Sequence, residues 1–324
     1  MTFFDACVVV PLRGEDSIEP LVSSLRKAAQ LSGQRCLLVL VLNEQESTSS
    51  AFNTSHLKQD SLLDFLVMHF DQEGSFFSEK EGVGTARKIG SDFAVRLWHA
   101  GRLKRNIIYC TDADVEVPST YFTQISYAPL SLWTFSFQHF SDSNASHFQQ
   151  RATELYDLYL RYFRAGLEWA GSRYSFFAIG SILAFDPLLY CHVRGFPHRL
   201  AGEDFYFLSK ATKMGHVVGL NGAPLRISGR LSERTPFGTG QKVAEWAQAL
   251  EGGTPIYAES PAAFQQLKAH LSAQDSKAFH EHFDALKTWQ WLRRAPEGLI
   301  PLTEAVKIAP WKDQIFSHNP INLV

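Results

Sequence analysis

A chain of 324 residues, 45% hydrophobic and 20% charged, has enough material for a large core in one domain with an appendage, or in two domains. With 31 basic against 33 acidic side chains and a net charge of -2, it has no overall bias towards nucleic acid or an anionic membrane. No apolar run approaches the roughly 18 residues of a membrane span, and the opening residues lack the basic region of a secretion signal and carry Asp5, so the expected location is cytoplasmic.

Short β-rich runs alternate with helical patterns through the first 220 residues or so. Residues 6–12 (ACVVVPL) predict a buried strand ending at Pro11, and 18–30 a helix with Ile18, Leu21, Val22 and Leu25 on one face. Residues 36–42 (CLLVLVL) predict a second strand, followed by a polar loop over 43–55. Strands at 65–70 and 106–110 flank a helix at 85–100. Strands joined by crossover helices imply an α/β fold with a mainly parallel sheet covered on both faces. Beyond Asp114 the pattern predicts a strand at 132–140, a long helix at 146–170, a buried strand at 176–185 and a helix at 205–214. From about Gln241 the chain reads as helical, with Phe279, Phe283 and Leu286 at i, i+4 and i+7. The expected division is a catalytic domain over 1–240 and a C-terminal helical appendage over 241–324. Cys7, Cys36, Cys110 and Cys191 form no CxxC pair and read as free thiols of a reducing compartment.

Four segments carry chemistry. Thr111-Asp112-Ala113-Asp114 places two acids just past the end of a buried strand, where open α/β sheets bind ligands. Two carboxylates there repel unless a divalent cation shares them. That cation, bridged by a diphosphate, suits a nucleoside-diphosphate leaving group. Asp-x-Asp spacing alone arises about once by chance in a chain this long, so the position at a strand end is what raises it. Gly202-Glu203-Asp204-Phe205 opens a helix, and its acids either complement the helix dipole or supply a general base. Gly82-Val83-Gly84-Thr85-Ala86-Arg87-Lys88 also opens a helix, either as a plain turn or as a backbone site for an anion, and lacks the third glycine of a dinucleotide fingerprint. The segment 226–240 spaces Arg226, Arg230 and Arg234 four apart among glycines and hydroxyls, as a phosphate-binding loop or a solvated one.

Together and in this order, these features resemble glycosyltransferase family 2, which has the GT-A fold. Val8-Val9-Val10-Pro11 with Glu15, Leu21 and Leu25 is similar to that family's first strand and helix. Gly84-Thr85-Ala86-Arg87 is similar to its Gly-x-Ala-Arg segment, and Asp112-Ala113-Asp114 with Val117-Pro118 to its metal motif. Arg194-Gly195-Phe196 and Gly202-Glu203-Asp204 resemble its later motifs. The similarity spans about residues 6–220.

The resemblance implies a metal-dependent, inverting and non-processive glycosyltransferase with a nucleotide-diphosphate sugar donor and Mn2+ or Mg2+ at Asp112 and Asp114. It implies Asp204 as the base on the acceptor hydroxyl and Glu203 as the residue that orients donor or acceptor. Pro11, Arg13, Asn43 and Glu44 would lie near the nucleotide base, and Gly84 and Arg87 near the donor. Arg230 and Arg234 are assigned to the diphosphate on chemical grounds. No nucleic acid, membrane span or particular acceptor is implied. The sequence departs from the family at Asn43-Glu44, where an Asp-rich turn is usual, and at Lys88, where Asn is frequent. Gln290-Trp291-Leu292-Arg293 resembles part of a motif of processive synthases, with Arg294 in place of its Trp. Two alternatives stand: a non-catalytic nucleotide or carbohydrate binder, and a sugar nucleotidyltransferase, which would need a basic glycine-rich loop where Arg13-Gly14-Glu15-Asp16 stands.

Overall fold

The computed structural model describes residues 2–15, 17–44, 52, 54, 57–72, 75–78, 81–142, 144–230, 238–273 and 284–316. In chain order the elements begin with β1 (Ala6–Leu12), α1 (Glu19–Ser32), β2 (Cys36–Asn43), β3 (Leu63–Phe70), α2 (Val83–His99), β4 (Ile108–Cys110) and β5 (Val115–Glu116). There follow β6 (Ser131–Thr134), β7 (Phe137–Phe140), α3 (His147–Trp169), β8 (Leu183–Phe185), α4 (Pro187–His192), α5 (Glu203–Met214), β9 (His216–Gly219) and β10 (Leu225–Ser228). The last are α6 (Thr239–Glu251), β11 (Tyr257–Glu259), α7 (Pro261–Ala273), α8 (Ala285–Arg293), β12 (Leu299–Pro301), α9 (Leu302–Ile308) and α10 (Lys312–Phe316). They fall into two compact units, Met1–Gln138 with Ala178–Ser228, and His139–Phe177 with Gly229–Val324.

The first unit is α/β. Its seven-stranded sheet has the order β3-β2-β1-β4-β8-β6-β9, and every neighbouring pair is parallel except those made by β8. β1 and β2 are buried along their whole length and apolar except for the terminal Asn43, as central parallel strands require. Pro11 does not end β1. It pairs with Val41 inside the strand, one residue before its close. α1 has Pro20 in its first turn, buries Leu21, Val22, Leu25, Ala28 and Ala29, and stops at Gly33, whose φ of 65° is left-handed. α1 and α2 cover opposite faces. Tyr109 of β4 packs its ring on Tyr121, Phe122 and Phe135, on the side where α1 meets the 3-10 turn Tyr121–Thr123. Cys110, the next residue, points to the other face, where its Sγ meets Arg87 of α2.

The second unit centres on α3, which starts with a capping box between Ser146 and Gln149. Its core joins buried aliphatic and aromatic side chains of α3, α6, α7, α9 and α10. Tyr162, Phe264 and Trp311 lie with ring centroids 5.0 to 5.8 Å apart. Trp311 Nε1 donates to the Tyr162 carbonyl at 3.1 Å, and the Tyr162 hydroxyl donates to the Glu259 carbonyl at 2.6 Å. These bonds let two large polar-tipped rings be buried without unsatisfied donors. Gly166 keeps α3 close to this cluster, since a Cβ there would stand 2.7 Å from the Phe264 ring and 2.9 Å from Trp311.

Three further expectations differ from the structure. The apolar run 176–185 is a strand only at Leu183–Phe185, preceded by the 3-10 turn Gly180–Ile182. The run 132–140 forms two strands, β6 and β7. The C-terminal segment is not wholly helical, because β11 and β12 pair antiparallel within it. The regular helical spacing beginning at Phe279 and Phe283 lies outside the described residues, and Leu286 belongs to α8. All four cysteines are free, three of them buried. Among the described residues no helix is long and apolar enough to cross a membrane.

Candidate functional site

β2, β1 and β4 are adjacent and parallel, so the residues that follow them gather at one edge of the sheet. Those residues are Arg13-Gly14, Asn43-Glu44 and Thr111 to Asp114. The edge is more closely built than a polar loop would be. Glu44 is buried, accepts the Gly14 N–H at 2.5 Å on Oε1, and exchanges backbone bonds with Phe70 and Phe77. Asn43 is also buried, and its Oδ1 has no hydrogen-bond partner; nor has Oγ1 of the fully buried Thr111. Two orphaned buried oxygens, at the ends of the strands on either side of β1, are uncommon enough to mark a place for polar ligand atoms or water.

The centre of the site is Arg87, in the first turns of α2. Its Nε donates to Glu203 Oε1 at 2.8 Å, its NH2 nitrogen to Asp112 Oδ1 at 2.6 Å, and its NH1 nitrogen to Cys110 Sγ at 3.2 Å. The side chains of Arg87 and Glu203 are 3% and 4% exposed, whereas that of Asp112 is 34% exposed. The guanidinium lies close against Gly180, where an added Cβ would fall 2.7 Å from its Cζ.

This packing sets the charges. Burial, then repulsion from Asp204, pushes the Glu203 carboxyl up to about 7, with Arg87 opposing both. Burial also raises Asp204, although the Phe205 N–H donates to its Oδ1 at 2.7 Å. Burial works to lower the pKa of Arg87, but the negative neighbours led by Asp112 more than offset it and keep the guanidinium charged. Cys110 is pushed up by burial to about 11 and stays a thiol. One fixed cation therefore faces three carboxyl groups, Asp112, Glu203 and Asp204.

The glycines before α2 have a packing reason. A Cβ on Gly84 would stand 2.7 Å from the Pro197 carbonyl and 2.8 Å from that of Arg199, and a Cβ on Gly82 would overlap the backbone of Leu200. The Gly84 N–H donates to the Arg199 carbonyl at 3.3 Å, and Thr85 Oγ1 meets His198 Nδ1 at 3.2 Å. The start of α2 thus clamps the segment leading into α5, which is how Arg87 comes to reach Glu203. Gly202, at a left-handed φ of 74°, turns the chain so that Glu203 and Asp204 open α5.

Asp114 is partly buried, and its carbonyl accepts the Ser228 N–H at 3.2 Å beside the antiparallel pair β5–β10. In that pair Arg226 NH1 meets Glu116 at 3.1 Å. Arg230 belongs to the second unit, and Arg234 lies outside the described residues. Several large aromatic side chains serve packing: Trp133, Phe137 and Tyr174 are buried, and Trp169 lies tilted against Trp311 with ring centroids 5.2 Å apart.

Sequence reasoning missed Cys110 and Gly180 as walls of the site. It also missed a buried pair in the second unit, His139 and Asp157, whose Nδ1 and Oδ1 are 2.5 Å apart. On the far side of that ring, Nε2 lies 3.2 Å from Thr239 Oγ1.

No protein-family model matches the chain, and no curated protein matches it. Among solved structures it is similar to the mannosyltransferase PcManGT from Pyrobaculum calidifontis, determined in complex with GDP-Man and Mn2+, at 12% identity and a TM-score of 0.38, over 90% of this chain and 86% of that one. At that identity and TM-score the likeness assigns neither an activity nor a residue role, so the residues themselves carry the functional reading.

Proposed function

We propose that the chain is a metal-dependent, inverting glycosyltransferase of the GT-A type, moving a sugar from a nucleotide-diphosphate donor to an acceptor hydroxyl. One observation carries this reading. Asp112 and Glu203, drawn from a strand end and a helix start more than 90 positions apart, meet on a single buried guanidinium at the carboxyl edge of a parallel sheet, with Asp204 the residue next to Glu203.

The donor set fits a divalent cation. Asp112 keeps a partly exposed carboxylate, Asp114 follows two residues later, and the local charge is in acid excess. Among the described residues no group of three or more His, Cys, Asp or Glu could hold a metal by itself. Mn2+ or Mg2+ held by one or two carboxylates takes its remaining positions from water and phosphate oxygens. When bound, such a cation supplies Lewis-acid stabilisation to the departing diphosphate.

The chain's own residues would do the rest. The edge formed by Arg13, Asn43 and Glu44 would accommodate the nucleotide base, with the orphaned Asn43 Oδ1 as an acceptor. Asp204, its pKa raised by burial, would take the proton from the acceptor hydroxyl as the new glycosidic bond forms. Glu203 would stay fixed by Arg87 as the neighbour that keeps Asp204 poised. The assignment of Arg230 and Arg234 to phosphate remains a proposal from sequence.

Incubation with UDP- and GDP-sugars, with and without Mn2+, tests the reading through release of the nucleoside diphosphate. Metal-dependent release from one donor supports it. Failure of every donor to bind or react, metal present, contradicts it and favours a protein without this activity.

A further inference from the structure

We propose that Arg87 is a positioning residue, acting on donor and acceptor through Asp112 and Glu203 without touching either substrate, and that Gly180 is the seat that holds its guanidinium in place. The proposal rests on the glycosyltransferase reading above and deepens it.

Each of the three guanidinium nitrogens donates within the protein, to Glu203 on α5, to Cys110 on β4 and to Asp112 beyond β4. At 3% exposure the side chain offers no face to a substrate. What it does offer is a rigid planar fork between two working carboxylates. On one side is Asp112, partly exposed and assigned to the cation. On the other is Glu203, the immediate neighbour of the base Asp204. A lysine could not replace it, since one ammonium point charge cannot span three acceptors in a plane.

Gly180 makes this geometry possible. A Cβ there would meet Cζ of Arg87 at 2.7 Å and Nε at 3.0 Å, with the NH2 nitrogen nearer still. Its backbone is not in the left-handed region, so alanine is conformationally acceptable. The atoms that must yield are the far end of a long side chain. Gly180→Ala therefore moves the guanidinium while deleting no charge and leaving the backbone intact, which a substitution of Arg87 itself cannot achieve.

The test compares wild type, Gly180→Ala, Arg87→Lys and the double variant. Mn2+ affinity is read by electron paramagnetic resonance, alone and with UDP or GDP, and folding by thermal melting. The expected result is a loss of Mn2+ or Mn2+–diphosphate affinity of about 10-fold or more in each single variant, the scale seen when a residue orienting a metal ligand is lost. The double variant should lose little more, because both substitutions act through the same guanidinium. A purely structural role would lower the melting temperature and leave affinity unchanged, and that result overturns the proposal. Wild type that binds neither Mn2+ nor diphosphate overturns the glycosyltransferase reading and the proposal with it. Wild-type binding with an equally tight Gly180→Ala overturns the positioning role alone.

Discussion

Arg87 and Glu203 are 116 positions apart in the chain, yet Nε and Oε1 are 2.8 Å apart and both side chains are almost wholly buried. Glu203→Ala leaves the guanidinium its bond to Asp112 but strips the buried Nε–H of its acceptor, so it should lower the stability of the fold by about 1–3 kcal/mol. Urea unfolding of wild type and variant measures this; a loss under about 1 kcal/mol would show that Arg87 is satisfied without Glu203.

The raised pKa of Glu203 also makes a prediction about pH. Its ordinary value of 4.5 rises to about 7 in the folded protein, chiefly through burial. The folded state therefore binds a proton more readily than the unfolded state between these values. This group's contribution to stability is greatest below about pH 4.5, falls as pH rises to about 7 and is level above that. Its size is on the order of 3 kcal/mol. Glu203→Gln removes the titration, so the difference in unfolding free energy between wild type and variant should drift against wild type across that window. A difference independent of pH would contradict the assignment.

Asp204 has two possible duties, and one substitution separates them. Asn keeps an oxygen for the Phe205 N–H, which Asp204 now accepts at 2.7 Å, but cannot take a proton. Asp204→Asn should leave donor binding intact and lower turnover by about 10²-fold or more. Unchanged turnover would make Asp204 only a helix-opening acid.

In the second unit, Asp157 grips His139 twice, accepting its backbone N–H at 3.0 Å and facing its ring Nδ1 at 2.5 Å. Arg161 lies 3.4 Å from the same carboxylate. Asp157→Ala takes this acceptor from the backbone N–H and ring of buried His139, at about 1–3 kcal/mol each. A measured loss of roughly 2–5 kcal/mol in urea unfolding is expected; none at all would mean that the cluster is replaceable by water.

Much of this was legible in the sequence where periodicity or a strand end speaks plainly. The run 6–12 coincides with β1, and Asp112 and the pair Glu203-Asp204 stand at a strand end and a helix start that the pattern marks. What the sequence hid was convergence. Nothing local says that Arg87 turns inward to Glu203, since the link is made by the clamp of Gly82 and Gly84 on the segment before α5. The run 176–185 misled because an apolar stretch registers burial and not conformation. Gly180 interrupts the strand pattern, and that lone glycine was the available sign of a close approach. His139 and Asp157, 18 positions apart on a strand and a helix, form no motif at all.

The central claim is that the acid pair after β4 binds a cation and a nucleoside diphosphate together. Calorimetric titration of UDP, GDP, CDP and dTDP, each with and without Mn2+, into wild type and Asp114→Asn tests it most directly. One diphosphate should bind only when Mn2+ is present, and Asp114→Asn should abolish this binding while melting as wild type does. Absence of binding by every diphosphate, or binding indifferent to both metal and substitution, would contradict it.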